Sequence, residues 1–194
     1  LNVPSFFATG EEDNEVSLFR YKSKSNEIQF LSSLSTGSNV KCISVSSDAS
    51  AIACGTKNGA IHLWHSAKLF SKDWKLTTKV ENAHRESASN NQVNCISIDP
   101  EGGRWIASGG GDWGVNIYDV ETKTKTVNQR KGERLGEHRA AVTKMCCYPN
   151  GNLLATGGRD GHVLLWDTRR RRNVADIIVN DGVEVCGIGF DAFG

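Results

Sequence analysis

The residues that could support chemistry in this sequence are six cysteines, five histidines and one run of arginines. The cysteines could form disulfides or bind a metal, but no CxxC pair and no cysteine–histidine spacing typical of zinc is present. We interpret the cysteines, Cys186 included, as small buried core residues. The sequence also lacks a nucleophile elbow, a phosphate-binding loop and a zinc-binding helix motif. Three histidines have no partner that the sequence identifies: His62, His65 and His162. The sequence therefore predicts a protein that is not an enzyme and holds no metal or cofactor.

The arginine run TRRRRN spans residues 168–173. Such a run can contact phosphates or an acidic protein surface, or it can be a solvated loop. Both interpretations stay open at this point for its four arginines, Arg169, Arg170, Arg171 and Arg172.

Four segments of the chain align with one another almost residue by residue. They begin at Phe7, Ile52, Ile106 and Leu154, which are 45, 54 and 48 residues apart. Each reads apolar, small, small, glycine, then a polar turn centred on Asp or Asn, then an alternating apolar run that ends in an aromatic residue. This pattern predicts two short strands joined by a tight turn. Self-similarity at such a period indicates a repeat architecture.

Further strand-like runs flank these segments. An alternating run precedes three of them, at 40–45, 93–98 and 142–147. A more polar run follows each segment, at 28–34, 74–80, 123–129 and 173–179. Each repeat therefore supplies up to four antiparallel strands.

Four-stranded units at roughly 40 to 50 residues resemble the blades of a WD-repeat (WD40-type) β-propeller. The fourth copy follows the family pattern best, with Glu137-His138 in place of Gly-His and with Trp166-Asp167 as the closing dipeptide. The third copy has Ala83-His84 and Tyr118-Asp119 at these places, while the second keeps only the tryptophan, Trp64. The resemblance implies an all-β fold, a WD40 β-propeller with about four four-stranded blades visible.

The resemblance also implies one hydrogen-bonded set in each blade. Its members are a histidine from the loop before the blade, a Ser or Thr on the second strand, the turn Asp and the third-strand Trp. The fourth repeat carries His138, Thr156, Asp160 and Trp166. The third carries His84, Ser108, Asp112 and Tyr118. The second has Cys54, Asn58 and Trp64, so its set is incomplete. Because the set recurs in successive blades, we interpret it as scaffold and not as half of a catalytic triad.

The repeats divide the chain into an incomplete first blade, three further blades, and the first strand of a next blade or a ring closure. The predicted boundaries are 1–35, 36–80, 81–130, 131–180 and 181–194. Propellers of this family usually have about seven blades, and the general range is about four to eight. Two alternatives stay open: part of a larger ring, which we favour because small rings are rarer, or a four-bladed ring closed by the last strand.

The composition limits the kinds of molecule that we expect the chain to bind. A net charge of +1, from 23 basic and 22 acidic residues, gives no global attraction to nucleic acid or membranes. No apolar run approaches the length of a membrane-spanning helix, and no cleaved signal is recognisable. We expect a soluble intracellular protein of the nucleus or cytoplasm, without membrane insertion and without a small-molecule substrate.

Partner-specific residues of a propeller lie in its loops, because its strands are occupied with packing. The residues beside the turn Asp or Asn differ between copies, as expected if they contact a partner. The predicted partner-binding residues at these turns are Glu12, Lys57, Trp113 and Arg159. Trp113 is the leading candidate, since it stands where the other copies have Asn or Gly and offers a large, rigid contact area. The alternative is that Trp113 covers a neighbouring loop. Two enlarged loops, 81–92 and 128–139, are predicted near it.

These features predict a non-enzymatic scaffold or adaptor subunit that binds proteins or peptide segments within a multiprotein complex. Two alternatives remain. Segment 154–169 resembles the box of WD-repeat proteins that dock on the damaged-DNA-binding adaptor of cullin-RING ubiquitin ligases, which implies that Arg169 is a docking arginine of a substrate receptor. In the other alternative, a nucleic-acid- or chromatin-associated propeller uses Arg169–Arg172 as a phosphate clamp. Segment 6–19 bears a weaker similarity to repeats of replication-fork adaptors, a further link to this class.

Overall fold

The computed structural model describes residues 5–10, 12–67, 72–84, 91–101, 103–120 and 132–191. Within these ranges the chain forms fifteen strands and no helix, so no helix there could span a membrane. The strands of the first two sheets are β1 (Ser5–Gly10), β2 (Glu15–Lys22), β3 (Glu27–Ser35), β4 (Val40–Val45), β5 (Ala51–Thr56), β6 (Ile61–His65) and β7 (Lys75–Val80). Those of the next two are β8 (Val93–Ile98), β9 (Trp105–Gly110), β10 (Gly114–Asp119), β11 (Glu133–Glu137), β12 (Val142–Cys147), β13 (Leu153–Gly158), β14 (His162–Asp167) and β15 (Arg172–Ile178).

The strands pair in chain order into four antiparallel sheets, β1–β3, β4–β7, β8–β11 and β12–β15. In the described ranges the first sheet has three strands and each of the others has four. This arrangement confirms the predicted all-β fold of successive antiparallel blades. Each aligned segment of the sequence forms two neighbouring strands of its sheet, joined by the predicted turn. In the three four-stranded sheets these are the two central strands.

The outer strand of the third sheet, β11, lies later in the chain than the polar run from which we predicted it. The predicted run 123–129 falls outside the described residues, and β11 pairs instead with β10. The third sheet therefore extends to Glu137, beyond the boundary that we placed after residue 130. An outer strand needs only backbone pairing on one side and stays exposed, so its polar sequence gives no periodic signal.

Apolar cores fill the space between successive sheets. The first and second sheets enclose Val16, Leu18, Ile52 and Trp64. Alternate residues of β5 pack into two different cores. Ile52 faces the first sheet, while its neighbour Ala53 packs towards the third. Strands β5 and β9 are buried along their whole length. Burial of both sheet faces explains why these strands read as continuous runs of apolar and small residues.

Strands β1, β5, β9 and β13 each carry a glycine at the point where a later segment of the chain packs against the sheet. A Cβ atom at any of these glycines would lie closer than 3.0 Å to a valine side chain. The pairs are Gly10–Val40, Gly55–Val93, Gly109–Val142 and Gly157–Val185. Three of the valines begin the first strands β4, β8 and β12. A side chain larger than glycine at these positions would clash with the valine, so the glycines allow the sheets to lie this close together.

The segment after β15 continues this pattern without forming a strand. The Val185 N–H donates to the Gly158 carbonyl at 3.1 Å, and the Thr143 hydroxyl donates to the Val185 carbonyl at 2.8 Å. Val185 thus stands against the fourth sheet as Val142 stands against the third.

The cysteines mostly behave as small core residues. Burial raises the pKa of Cys54 and of Cys95 to about 12, which keeps both thiols neutral. Cys186 is exposed, so the prediction of a buried position is wrong for it. No described strand packs over the segment that contains it.

We predict that Gly55→Ala lowers the free energy of unfolding by about 1–3 kcal/mol, because the added methyl group clashes with Val93 across the sheet interface. Urea unfolding followed by tryptophan fluorescence measures this change. The matched control is Gly187→Ala, where an added Cβ meets no atom within 4 Å. Equal stability of the two variants would contradict close packing at this glycine.

Candidate interaction surface

The turns between second and third strands present the four predicted turn residues. Glu12, Lys57, Trp113 and Arg159 lie in the turns β1–β2, β5–β6, β9–β10 and β13–β14, and each is exposed. Each belongs to a different sheet, and no described contact joins their side chains to one another. Glu12, Lys57 and Arg159 precede the turn Asp or Asn, and Trp113 follows it. The four residues therefore lie in equivalent turns of one surface, which we call the turn face, without forming a single cluster.

Trp113 occupies a backbone position that does not favour its side chain. Its φ angle is 70°, in the left-handed region, and the equivalent residues Asn14, Gly59 and Gly161 have φ angles of 71°, 83° and 79°. A residue with a Cβ at such a position costs about 1 kcal/mol relative to glycine. The side chain of Trp113 is 50% exposed. Neither burial nor backbone geometry therefore explains a tryptophan at this turn.

The turn below Trp113 is held by charged hydrogen bonds. Arg134 on β11 donates to the Asp112 carboxylate at 3.0 Å and to its carbonyl at 3.3 Å, and its guanidinium lies 2.9 Å from the Glu137 carboxylate. The Trp113 carbonyl accepts from the His138 N–H at 3.0 Å. These contacts fix the backbone that presents the indole.

The four side chains of the fourth-repeat set are in contact and buried. The Thr156 hydroxyl lies 2.8 Å from His138 Nε2 and accepts from the Trp166 indole N–H at 2.9 Å. His138 Nδ1 lies 3.1 Å from the Asp160 carboxylate. If His138 Nδ1 carries the proton, Nε2 accepts from Thr156 and every polar group of the set is bonded.

The electrostatics of this set favour a neutral histidine beside a charged aspartate. Burial lowers the pKa of His138, although Asp160 opposes the shift. Burial acts to raise the pKa of Asp160, but hydrogen bonds from the Arg139 and His162 backbone N–H groups and from His138 bring it below its usual value. The arrangement stabilises a turn and contains no nucleophile beside an accessible base.

The third-repeat set is similar except at its aromatic residue. His84 lies 2.6 Å from Asp112 through Nδ1 and 3.0 Å from the Ser108 hydroxyl through Nε2. The Tyr118 hydroxyl donates to the Ala83 carbonyl at 2.8 Å. Burial raises the pKa of Tyr118 to about 12, so this donor stays protonated.

A glycine makes room for each histidine, although the repeated pattern alone did not indicate this role. A Cβ at Gly110 or Gly158 would lie closer than 3.0 Å to the ring of His84 or His138. The second repeat has Thr56 at this position. The Thr56 hydroxyl donates to Asn58 Oδ1 at 2.6 Å and lies 2.9 Å from the Ala60 carbonyl, so a threonine closes the turn in place of a histidine. The aligned segments have Gly-Gly in the third and fourth repeats but Gly-Thr in the second. This difference could have indicated which repeats have room for a histidine.

The arginine run does not form one free cationic surface. Arg170 lies 3.4 Å from the Asp167 carboxylate, and Arg171 pairs with Asp119 of the third sheet. The side chains of Arg169 and Arg172 are exposed. Two of the four arginines of the predicted phosphate clamp therefore lie beside carboxylates.

Arg169 lies at a cleft between the third and fourth sheets, at the sheet end opposite the turn face. The cleft has a volume of about 260 Å³ and also contains Arg104, Asp119 and Arg171. Its polar lining suits a charged side chain better than an apolar ligand. In the described part of the chain, no cluster of three or more His, Cys, Asp or Glu side chains could hold a metal ion.

A family model described as WD domain, G-beta repeat, matches residues 28–65, 77–119 and 130–167. The chain belongs to the WD40 family. The match covers the central strands of the second, third and fourth sheets, and the complete His-Thr-Asp-Trp set of the fourth agrees with it.

Several named proteins resemble the chain. It is 30% identical over 118 residues to THO complex subunit 6 homolog of Danio rerio, covering 60% of this chain and 34% of that protein. It is 26% identical over 195 residues to U3 snoRNP-associated protein-like EMB2271 of Arabidopsis thaliana, covering 84% and 38%. It is 32% identical over 93 residues to COMPASS component SWD1 of Saccharomyces cerevisiae, covering 48% and 20%. The chain thus spans only a fifth to about two fifths of the length of these relatives.

We predict that Thr156→Val lowers the free energy of unfolding by about 2–4 kcal/mol, because it leaves both His138 Nε2 and the Trp166 indole N–H buried without a partner. Chemical denaturation measures the loss. The control is Thr78→Val, since no hydrogen bond of the Thr78 hydroxyl is found in the described residues. A loss no greater than that of the control would show that the set contributes little to stability.

Proposed function

We propose that this WD40 chain is a non-enzymatic interaction scaffold that holds a protein or peptide segment on its turn face, with Trp113 as the anchor. The observation that carries the proposal is a half-exposed tryptophan at a left-handed backbone position where other repeats have Gly or Asn. Buried aromatic anchors contribute most of the energy at many interfaces. Trp113 destabilises the free protein at this backbone position, and its presence is explained if it contributes to binding.

Charged turn residues supply the rim of this surface. Lys57 and Glu12 are exposed on neighbouring turns, and Arg159 lies 3.2 Å from the Glu184 carboxylate. Their different charges suit selection of one partner, because rim charges govern the encounter and its specificity more than its strength.

The relatives support a role within an assembly. Two of them are named as parts of complexes, THO complex subunit 6 homolog and COMPASS component SWD1. A third, Cell division cycle 20.6 of Arabidopsis thaliana, is named a cofactor of the APC complex. We propose an intracellular adaptor subunit, in the nucleus or cytoplasm, whose ring includes blades beyond those described.

A second candidate function rests on Arg169. Its exposed side chain at the cleft between two sheets fits docking of an acidic group, as the resemblance to ubiquitin-ligase receptors implies. The Asp167 carboxylate accepts from the Arg169 and Arg170 backbone N–H groups at 3.0 and 2.8 Å, which fixes this turn. The nucleic-acid alternative has less support, because Arg170 and Arg171 are paired with carboxylates.

We predict that Trp113→Gly abolishes capture of one defined partner while it leaves the free energy of unfolding unchanged or raises it by up to about 1 kcal/mol. Removal of left-handed strain offsets the greater freedom of glycine in the unfolded chain. Affinity capture with crosslinking, together with urea unfolding, measures both effects in the purified protein.

Arg169→Ala is the matched comparison in the same capture experiment. Loss of a ubiquitin-ligase adaptor in this variant alone would favour the second candidate function. If Trp113→Gly keeps every partner, or if it destabilises the fold by more than about 1 kcal/mol, the indole covers the protein itself and the proposal fails.

A further inference from the structure

Arg139 lies on the turn face between the turn that carries Trp113 and the corresponding turn of the fourth sheet. The N–H of its neighbour His138 donates to the Trp113 carbonyl at 3.0 Å. Its own N–H donates to the carboxylate of Asp160, in the fourth-sheet turn, at 2.7 Å. These two bonds fix the backbone of Arg139, so its side chain and that of Trp113 project from neighbouring, fixed points of one surface.

The charge of Arg139 is not neutralised within the described chain. Its side chain is exposed, and no ion pair or hydrogen bond of its guanidinium is found among the described residues. By contrast, Arg134 and Arg159 on the same face each contact a carboxylate. An unpaired guanidinium at a fixed backbone position is a charge that a partner can neutralise.

The aspartates of the two turns are bonded inside the chain. Arg134 donates to the Asp112 carboxylate at 3.0 Å. The N–H groups of Arg139 and His162 donate to the Asp160 carboxylate at 2.7 and 3.1 Å. Both aspartates are also buried. The charge left free beside the Trp113 turn is therefore positive.

The exposed carboxylates of the turn face do not neutralise this charge. Glu137 is paired with Arg134. Glu12 belongs to the turn of the first sheet, and Asp181 follows β15. In the described chain, neither Glu12 nor Asp181 forms an ion pair with Arg139.

The chemistry of Trp113 and Arg139 defines the kind of segment that fits them. An indole offers a large, rigid apolar surface, which suits an apolar or aromatic side chain. A guanidinium binds a carboxylate through two parallel hydrogen bonds. Phosphopeptides and nucleic acids are recognised by clusters of cations, whereas Arg139 is a single guanidinium beside arginines that are already paired. A carboxylate is therefore the anion that this surface favours.

We propose that the turn face binds a peptide segment of a partner protein in which an Asp or Glu lies within a few residues of a large apolar side chain. The apolar side chain packs on Trp113, and the carboxylate pairs with Arg139. This inference rests on the proposed function, and it adds the class of segment and the residue that selects it. Arg139 determines specificity, because a basic or uncharged segment leaves its guanidinium desolvated and unpaired.

Peptide display on the purified protein tests the inference. The probe is a library of random peptides of about twelve residues, which span up to roughly 40 Å when extended. It is selected in parallel against the wild type, Arg139→Glu and Trp113→Gly. We expect the wild type to enrich Asp or Glu near large apolar residues, and Arg139→Glu to enrich Lys or Arg in their place.

Arg172→Glu is the matched control for this selection. It makes the same charge change at an exposed arginine that begins β15, at the sheet end opposite the turn face. It should select the same peptides as the wild type.

A double-mutant cycle with a selected peptide tests the pairing with Arg139. Fluorescence anisotropy measures the dissociation constants of the acidic peptide and of its amide version, with Gln for Glu or Asn for Asp. We expect the amide version to bind the wild type at least about fivefold more weakly, but to bind Arg139→Ala within about twofold of the acidic peptide. Arg139→Ala keeps the backbone N–H that bonds Asp160, so the fold is retained, which circular dichroism verifies.

Selected peptides without acidic enrichment would overturn the inference. An equal loss of affinity on amide substitution in the wild type and in Arg139→Ala would overturn it as well. In both cases, binding that depends on Trp113 leaves the proposed function standing. If Trp113→Gly binds the peptides as tightly as the wild type, the proposed function fails, and if the wild type enriches no peptide, both proposals fail.

Discussion

The close approach of successive sheets at a glycine is the constraint on which the rest of the structure depends. Gly55 and Gly109 each receive the first valine of the next sheet, and the same contact recurs at Gly10 and Gly157. This contact sets the spacing between sheets, and the spacing decides which side chains fill the space between them. It also fixes the position of each turn, because every turn continues directly from the strand that carries the glycine. A surface that depends on separate turns needs this rigidity.

Each buried histidine set stabilises the turn of its own blade. Where Gly110 or Gly158 leaves space, a histidine enters and joins the turn aspartate to the second strand. Where Thr56 occupies that space, its hydroxyl bonds within its own turn. The blades thus reach similar turn geometry by two chemical routes. Such variation is compatible with a constant fold because each turn satisfies its own polar groups.

Much of this architecture follows from the sequence, because central strands carry the repeated pattern. Segments such as 52–65 and 154–167 alternate around a glycine and end in an aromatic residue, and they form the predicted strand pairs. Strand β11 was misplaced because an exposed outer strand needs no apolar residues. The pairing of Arg171 with Asp119 joins residues 52 positions apart in neighbouring sheets, which no local pattern reports. Trp113 was identified by comparison with the other copies, but its left-handed backbone required coordinates.

A double-mutant cycle at Gly109 and Val142 measures whether the spacing between sheets depends on the fit of glycine to valine. Gly109→Ala adds a methyl group and Val142→Ala removes the side-chain atoms nearest to it. The measured quantity is the free energy of unfolding of the two single variants and the double variant. If this fit sets the spacing, the double variant loses at least about 1 kcal/mol less than the sum of the two single losses. Losses that add to within about 0.5 kcal/mol would contradict it.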